Sequence, residues 1–228
     1  TLHGRRALVA GGSRGIGLAI ADALAQAGAA VSICARSADA LEHAASRLRN
    51  HGEKMHTHRC DLAEAAAPAA WVEAAAHALG GVDIVVNNAS ALAHGADDDA
   101  WQAGFEVDLM AAVRCNRAAL PYLRGSPHPA ILNIVSINAL RPTPRATAYS
   151  TAKAALTYYT VTLAAELAPA RIRVNALAPG SIEFPGGLWA ACAIEDPALY
   201  SRVRDSIPFG GFGAPGDVAA AALFLCSD

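Results

Sequence analysis

The sequence lacks the features that mark several classes of protein. Its 228 residues contain no apolar run near the ~20 residues that a membrane-crossing helix needs, and its first residues show no signal-peptide pattern. The 19 glycines and 12 prolines are too few for a collagen-like or low-complexity chain. The formal net charge is only -2 and the basic residues form no stripe, which argues against a nucleic-acid partner. We therefore expect a cytoplasmic protein that binds neither membrane nor nucleic acid.

Cysteine motifs are also absent. No two cysteines form a C-x-x-C pair, and reduced thiols are the simplest interpretation in a cytoplasmic protein. His56, His58 and Cys60 alternate along one predicted strand. Three metal ligands on one buried strand would be an improbable metal site, so we expect no metal. The five cysteines are Cys34, Cys60, Cys115, Cys192 and Cys226.

The sequence does contain a regular alternation of strands and helices. Apolar residues make up 54% of the chain, which is ample for one core, and no linker or repeat divides it. The alternation implies right-handed crossovers between parallel strands. We predict an α/β fold, a Rossmann-type doubly wound parallel sheet with helices on both faces, in one domain over 1–228. The predicted strands are 7–10, 30–34, 55–60, 82–86, 130–135 and 171–177, and the predicted helices are 16–27, 38–50, 63–79, 101–123 and 147–167.

Two long segments, 89–100 and 181–216, interrupt this alternation. Long irregular segments in a compact domain are often functional. We expect the second to be a substrate lid, with a hinge at 185–187. Apolar residues in this lid favour a partly apolar substrate. These residues are Phe184, Leu188, Trp189 and Ile194.

A glycine-rich turn, Gly11-Gly-Ser-Arg-Gly-Ile-Gly17, joins the first predicted strand to the first helix. Glycines let a pyrophosphate approach the backbone, and the helix N-terminus offers N–H groups and partial positive charge. The same turn contains G-x-S-x-G around Ser13, which is the nucleophile elbow of serine hydrolases. Hydrolysis is disfavoured because no histidine follows His128, whereas the elbow's partners come in the order acid, then histidine. The turn therefore favours dinucleotide binding.

Further motifs follow in order along the chain. They are Asn87-Asn-Ala-Ser90, Ser136, Tyr149-Ser-Thr-Ala-Lys153 and Asn175-Ala-Leu-Ala-Pro-Gly180. With the glycine turn, they make the chain resemble the classical short-chain dehydrogenase/reductase family along nearly its whole length, and the 3-oxoacyl-[acyl-carrier-protein] reductases within it. The resemblance implies the catalytic residues Ser136, Tyr149, Lys153 and Asp108. It implies contacts to the cofactor from Gly11, Ser13, Arg14, Gly15, Ile16, Gly17, Arg36, Asp61, Leu62, Asn87, Ala89, Tyr149, Lys153, Pro179, Gly180 and Ile182.

The chemistry of the catalytic residues is consistent with carbonyl reduction. Tyr149 and Lys153 are four residues apart on a predicted helix and share one face. A phenol holds its proton tightly at neutral pH, and a nearby ammonium favours the phenolate. Ser136 would hold the substrate oxygen where charge develops. We predict hydride transfer between nicotinamide C4 and a carbonyl carbon, with Tyr149 as acid or base, and the resemblance adds a contact from Lys153 to the nicotinamide ribose.

The end of the second strand indicates which cofactor binds. An acid at this position would bind the ribose hydroxyls of NAD, but the strand ends in Cys34-Ala-Arg-Ser37. Arg36 can instead pair with a 2′-phosphate, and Arg14 is a second candidate. We predict that NADP(H) is preferred and that NAD(H) is possible.

Four residues depart from the family pattern. Asp108 stands where an Asn usually holds a relay water, and its carboxylate adds charge and lacks the amide donor. Ala10 and Phe184 replace threonines, the second of which often contacts the nicotinamide carboxamide. Ser90 replaces a glycine and suggests a pteridine-type reductase as the alternative. A non-catalytic dinucleotide-sensing protein is a further alternative.

The substrate and the assembly are the last expectations. A 3-oxoacyl thioester is the leading carbonyl or alcohol substrate, with sugar, steroid or xenobiotic ketones as other options. Arg141 and Arg145 could meet an anionic group. The resemblance implies a homodimer or homotetramer built through the two long helices. It also implies a seventh strand beyond Asp228, so we expect either trimmed termini or an uncovered sheet edge.

Overall fold

Six parallel strands form one sheet at the centre of the computed structural model, which describes residues 1–93, 95–144 and 146–228. The strand order is β3-β2-β1-β4-β5-β6. The strands are β1 (Arg6–Ala10), β2 (Ala30–Ala35), β3 (Met55–Arg59), β4 (Ile84–Asn87), β5 (Ala130–Ile134) and β6 (Arg173–Leu177). The order reverses between β1 and β4, which places a crevice at the carboxyl ends of these two strands. The doubly wound sheet predicted from the sequence is confirmed.

Helices cover both faces of this sheet. They are α1 (Gly15–Gln26), α2 (Ala38–Leu48), α3 (Ala67–Leu79), α4 (Asp98–Ala103), α5 (Ala111–Arg124), α6 (Thr147–Leu167), α7 (Leu188–Glu195), α8 (Pro197–Asp205) and α9 (Pro215–Cys226). Alternate residues of β1 show the division, because Ala7 and Val9 pack in one core with α1, α2 and α9. Leu8 and Ala10 pack in the other core with α3, α5 and α6.

The two largest differences between the predicted and the observed helix boundaries are at α3 and at the stretch that includes α4 and α5. α3 begins at Ala67, later than the predicted 63, because Pro68 occupies its first turn, where a proline is tolerated. The predicted helix 101–123 lies within a longer helical stretch formed by α4, a π-helical turn at Gly104–Met110 and α5. Such turns mark functional sites, and this one carries Asp108.

The segment 181–216 is not irregular as its sequence suggests, because it contains α7 and α8. The sequence of α7 is almost entirely apolar apart from Glu195, so it shows no helical periodicity. α8 begins after Asp196, whose side chain accepts a hydrogen bond from the Leu199 N–H at 2.9 Å. Arg145 lies outside the described residues, and Arg141 is exposed. Among the residues described, none of the helices is both long and apolar enough to cross a membrane.

Candidate active site

The helix α6 carries Tyr149 and Lys153 on one face. The Lys153 Nζ lies 5.8 Å from the centroid of the Tyr149 ring. Lys153 is buried, and its Nζ donates a hydrogen bond to the Ile134 carbonyl oxygen at 2.9 Å. Ile134 ends β5, so the sheet itself fixes the position of the ammonium group.

Asp108 contacts the same ammonium group directly. Its Oδ1 lies 3.1 Å from the Lys153 Nζ, and both side chains are almost completely buried. Its Oδ2 accepts a hydrogen bond from the Ala91 N–H at 3.0 Å. The carboxylate therefore connects the π-helical turn, the segment after β4 and α6. A buried ion pair of this kind is costly to break, because the remaining partner would be an unpaired buried charge.

Ser136 follows β5 in extended backbone conformation at φ −158°. It is buried, and its Oγ accepts a hydrogen bond from the Asn138 N–H at 3.1 Å. The next residue, Ile137, donates its N–H to the Pro179 carbonyl oxygen at 3.1 Å. The structure thus brings the Ser136 segment and the Pro179-Gly180 segment side by side at the carboxyl end of the sheet.

The glycine turn between β1 and α1 forms a cradle suited to a phosphate. A Cβ on Gly17 would lie 2.1 Å from the Gly11 carbonyl oxygen, so only glycine allows this close turn. Within the described chain, no side chain caps the N-terminus of α1, where Arg14 precedes the first helical residue. The first N–H groups of the helix therefore remain suited to an anion. Asn88 holds the turn from the β4 side, because its Nδ2 donates to the Gly11 oxygen at 3.1 Å.

The end of β4 is fixed by a buried amide network. Asn87 Nδ2 donates to the side-chain oxygens of Asn116 and Asn133, each at 2.8 Å. Asn133 Nδ2 in turn donates to Thr160 Oγ1 at 2.8 Å. The sequence reasoning singled out Asn87 but missed Asn116 and Asn133. The sequence did indicate a role for Asn133, because an asparagine inside the apolar run 130–135 needs a buried hydrogen-bond partner.

Two arginines lie together at the corner formed by β2 and β3. Arg36 follows β2, and its carbonyl oxygen accepts a hydrogen bond from the Arg59 Nε at 2.9 Å. Both side chains are exposed. Arg59 was missed by the sequence reasoning because only the register of the sheet, in which Ala35 pairs with Arg59, brings it to Arg36. Asp61 accepts from the Ala63 N–H at 3.0 Å and Leu62 is buried beside this corner.

The other expected cofactor contacts lie around the glycine turn. Ser13 is in the turn, Ile16 is half-buried in the first turn of α1, and Ala89 lies against Gly11. Ile182 forms a parallel bridge with Gly213. Ser13, Ile16 and Ala89 therefore lie at the glycine turn, which ends β1 at the crevice.

Two of the departures from the family pattern have local structural consequences. Ser90 Oγ accepts a hydrogen bond from the Leu92 N–H at 3.0 Å, which supports Leu92 in the left-handed region at φ 48°. Ala10 lines a small cavity together with Asn87, Ala89 and Asp108. A threonine at position 10 would extend into this space.

An aromatic cluster holds parts of the segment 181–216 together. The ring of Phe212 stacks on Trp189 at 4.8 Å and lies 5.0 Å from the ring of Tyr200. Tyr200 donates its hydroxyl proton to Glu183 Oε1 at 2.9 Å, and this hydrogen bond raises the pKa of Tyr200. Ile194 is 83% exposed, so its side chain faces solvent in this structure.

The remaining candidate groups are accounted for by local contacts. His56 Nδ1 lies 2.9 Å from Ser32 Oγ. Burial lowers the pKa of His56, and electrostatic repulsion from the nearby His58 lowers it further. No group of three potential ligands from His, Cys, Asp and Glu occurs within the described ranges. All five cysteines are free there, and burial raises the pKa of Cys115 and that of Cys226 to about 12. These two thiols therefore stay protonated at neutral pH.

Comparison with known proteins agrees with this geometry. The family model described as short chain dehydrogenase matches residues 5–187. The rhamnolipids biosynthesis 3-oxoacyl-[acyl-carrier-protein] reductase of Pseudomonas aeruginosa is 36% identical, over 99% of this chain and 90% of that protein.

Solved structures show the same similarity. L-sorbose reductase from Gluconobacter frateurii, in complex with NADPH and L-sorbose, has 35% identity and a TM-score of 0.93, covering 100% of this chain and 91% of that one. A 7α-hydroxysteroid dehydrogenase in complex with NADH and 7-oxo glycochenodeoxycholic acid has 30% identity and a TM-score of 0.92, covering 99% of this chain and 88% of that one. The chain belongs to the short chain dehydrogenase family, whose members are oxidoreductases.

Proposed function

We propose that the protein is an NADP(H)-dependent oxidoreductase that interconverts a carbonyl and a secondary alcohol, with Tyr149 as the acid or base. The observation that carries this proposal is the Lys153 ammonium group, held by Ile134 and Asp108 beside the Tyr149 ring. A fixed cation beside a phenol stabilises the negative charge that the oxygen carries when its proton leaves.

The residues around the crevice fit a nicotinamide dinucleotide. The uncapped N-terminus of α1 and the glycine turn suit the pyrophosphate, and Asp61 with Leu62 would hold the adenine. Arg36 and Arg59 supply two positive charges at the ribose end, where the strand offers no acid. This charge favours the 2′-phosphate of NADP(H), while NAD(H) is the alternative. When bound, the nicotinamide supplies or accepts the hydride.

The protein's own residues would manage the oxygen and its proton. In reduction, the Tyr149 hydroxyl donates its proton to the carbonyl oxygen of the substrate. In oxidation, the Tyr149 oxygen takes the proton from the alcohol. Ser136 would hold the substrate oxygen in place as charge develops on it. Lys153 stabilises the Tyr149 oxygen after the proton leaves, and Asp108 positions Lys153 through their 3.1 Å contact.

The most specific part of this proposal is the class of substrate. The 36% identity to a 3-oxoacyl-[acyl-carrier-protein] reductase supports a 3-oxoacyl thioester. The segment 181–216 would cover the substrate as a lid, and the half-buried Phe184 and Trp189 give it apolar surface on the inside. The two similar solved structures are of enzymes that act on a sugar and on a steroid. Sugar ketones and steroid ketones are therefore the substrates to compare with the thioester.

A substrate screen tests the proposal. The purified protein is incubated with NADPH or NADH and a 3-oxoacyl thioester, a ketose or a steroid ketone, and nicotinamide absorbance is followed. We expect NADPH to be consumed fastest with the thioester and NADH to be used less well. Consumption of neither cofactor with any carbonyl compound would contradict the proposed activity, and faster turnover of the ketose or steroid would reassign the substrate class.

A further inference from the structure

The ring of Phe184 packs directly on the glycine turn. A Cβ placed on Gly15 would lie 2.5 Å from the ring Cζ, and one on Gly187 would lie 2.9 Å from the same atom. The ring is therefore enclosed between these two glycines, in contact with the first residue of α1. Gly15 has φ 54°, a conformation that also favours glycine. No phosphate group fits between the ring and Gly15 while this contact persists.

A second contact holds the same segment, residues 184–187, against the turn. Arg14 Nη1 donates a hydrogen bond to the Gly186 carbonyl oxygen at 3.2 Å. The segment closes on itself, because the Gly187 N–H donates to the Phe184 oxygen at 2.9 Å. We call residues 184–187 the strap. The arginine that is a candidate phosphate contact is thus engaged by the strap.

The residue before the strap is hydrogen-bonded to other parts of the lid segment 181–216. The Glu183 N–H donates to the Gly213 oxygen at 2.9 Å, and Glu183 accepts from Tyr200. Pro185 and Gly186 in its middle are exposed, and Gly186 has φ 73°. The strap can therefore leave the glycine turn as the lid moves, without disturbing the sheet.

The contact sets an aromatic ring where an anion is favoured. The first N–H groups of α1 attract negative charge, and a phenyl ring offers them no oxygen acceptor. We propose that Phe184 is a gate on the dinucleotide site: its ring occupies the place of the pyrophosphate while the strap is closed on the glycine turn, and it must leave before the dinucleotide binds. This inference rests on the proposed function, since it requires a dinucleotide at the glycine turn.

A gate has a thermodynamic and a kinetic consequence. The apparent dissociation constant equals the intrinsic constant divided by the fraction of molecules in which the strap is open. If about one molecule in ten is open, removing the ring tightens binding about tenfold. When opening precedes binding, the observed association rate levels off at high dinucleotide concentration.

NADPH binding measured by its fluorescence, at equilibrium and in stopped flow, tests the gate. The proteins compared are the wild type, Phe184→Ala, Phe184→Thr and the control Phe209→Ala. Phe209 lies outside the strap and is fully exposed. We expect both Phe184 variants to bind NADPH about tenfold more tightly than the wild type. Their association rates should rise linearly with NADPH concentration, whereas the wild type and Phe209→Ala should level off.

The opposing results are distinct. Equal or weaker NADPH binding by both Phe184 variants would overturn the gate while leaving dinucleotide binding intact, and weaker binding would make Phe184 a cofactor contact instead. Absence of NADPH and NADH binding by all four proteins would overturn the proposed function and, with it, the gate.

Discussion

At the residue scale, the site depends on single side chains that join separate elements. Lys153 contacts the end of β5 and the π-helical turn, and lies close to a tyrosine on its own helix. The sequence spacing was sufficient to predict the Tyr149 and Lys153 pair, because residues four apart share a helix face. The Asp108 contact could not be predicted, because it depends on how a π-helical turn aims the carboxylate.

The arginine corner gives a prediction about cofactor choice. Replacing Arg36 with Asp removes a positive charge near the expected 2′-phosphate and supplies an acceptor for ribose hydroxyls. We expect the ratio of kcat/KM for NADPH to that for NADH to fall at least about tenfold in Arg36→Asp, a change of about 1.4 kcal/mol. Steady-state kinetics with both cofactors measures this ratio.

The control for this change is Arg124→Asp, which alters an exposed arginine at the end of α5. It changes the net charge equally and should leave the ratio unaffected. An unchanged ratio in Arg36→Asp would remove Arg36 from cofactor selection.

At the scale of elements, polar groups determine how the strands are locked together. Asp83 precedes β4 and is buried, and it accepts hydrogen bonds from the Arg6 backbone N–H at 2.8 Å and from the Arg6 Nε at 2.7 Å. It also accepts from Ser126, which follows α5. One carboxylate therefore joins the starts of β1 and β4 to the connection before β5.

This carboxylate gives a prediction about stability and pH. Burial alone would raise the pKa of Asp83, but the hydrogen bonds from Arg6 and Ser126 outweigh it, and the pKa is lowered. A lowered pKa gives stability that is present above the unfolded value of about 3.9 and is lost as pH falls through the folded value. We expect Asp83→Asn to reduce the free energy of unfolding by about 2 kcal/mol at pH 7.

Urea unfolding between pH 3 and 7 measures this effect. The difference between wild type and Asp83→Asn should begin to shrink as the pH falls below about 4, where the carboxylate of the unfolded chain takes up its proton while that of the folded protein is still ionised. Glu73→Gln, an exposed carboxylate-to-amide change on α3, is the matched control and should show no such trend. A constant difference across the whole range would contradict the role of Asp83.

Elements also show where sequence reasoning succeeds and where it fails. α6 was predicted over its full length, because neither glycine nor proline interrupts the segment from Thr147 to Leu167. α7 was missed because an almost wholly apolar segment has no period to detect. Arg59 was missed for another reason, since its place beside Arg36 exists only after β2 and β3 pair.

At the scale of the whole molecule, the alternation of strands and helices was enough to predict the doubly wound sheet. Right-handed crossovers and the reversal at β1 leave few other arrangements for such a chain. What the alternation could not predict is the closure of the strap on the glycine turn. That contact pairs Phe184 with Gly15, and no local pattern in the sequence indicates it.

The outer face of α6 gives a prediction about assembly. Tyr158 is 76% exposed and Val161 is 64% exposed, three residues apart on one helix face. Apolar side chains exposed together favour contact with another protein surface. We expect a homodimer or homotetramer, and the double change Tyr158→Glu and Val161→Glu should convert it to a monomer.

Light scattering coupled to size exclusion measures the mass of both forms. The double change His43→Glu and Ser46→Glu adds the same two acidic side chains at exposed positions three residues apart on α2, so it is the matched control and should keep the assembly. A monomeric wild-type protein, or an assembly unaffected by the α6 changes, would contradict this interface.

The most direct test of the central claim compares the wild type with Tyr149→Phe in NADPH-dependent reduction of the best carbonyl substrate from the screen. Tyr158→Phe, an exposed tyrosine on the same helix, is the control. Because we propose Tyr149 as the acid or base, we expect kcat to fall about 10²- to 10⁴-fold in Tyr149→Phe, with NADPH binding retained and the control unchanged. Equal turnover by the wild type and Tyr149→Phe would contradict the account.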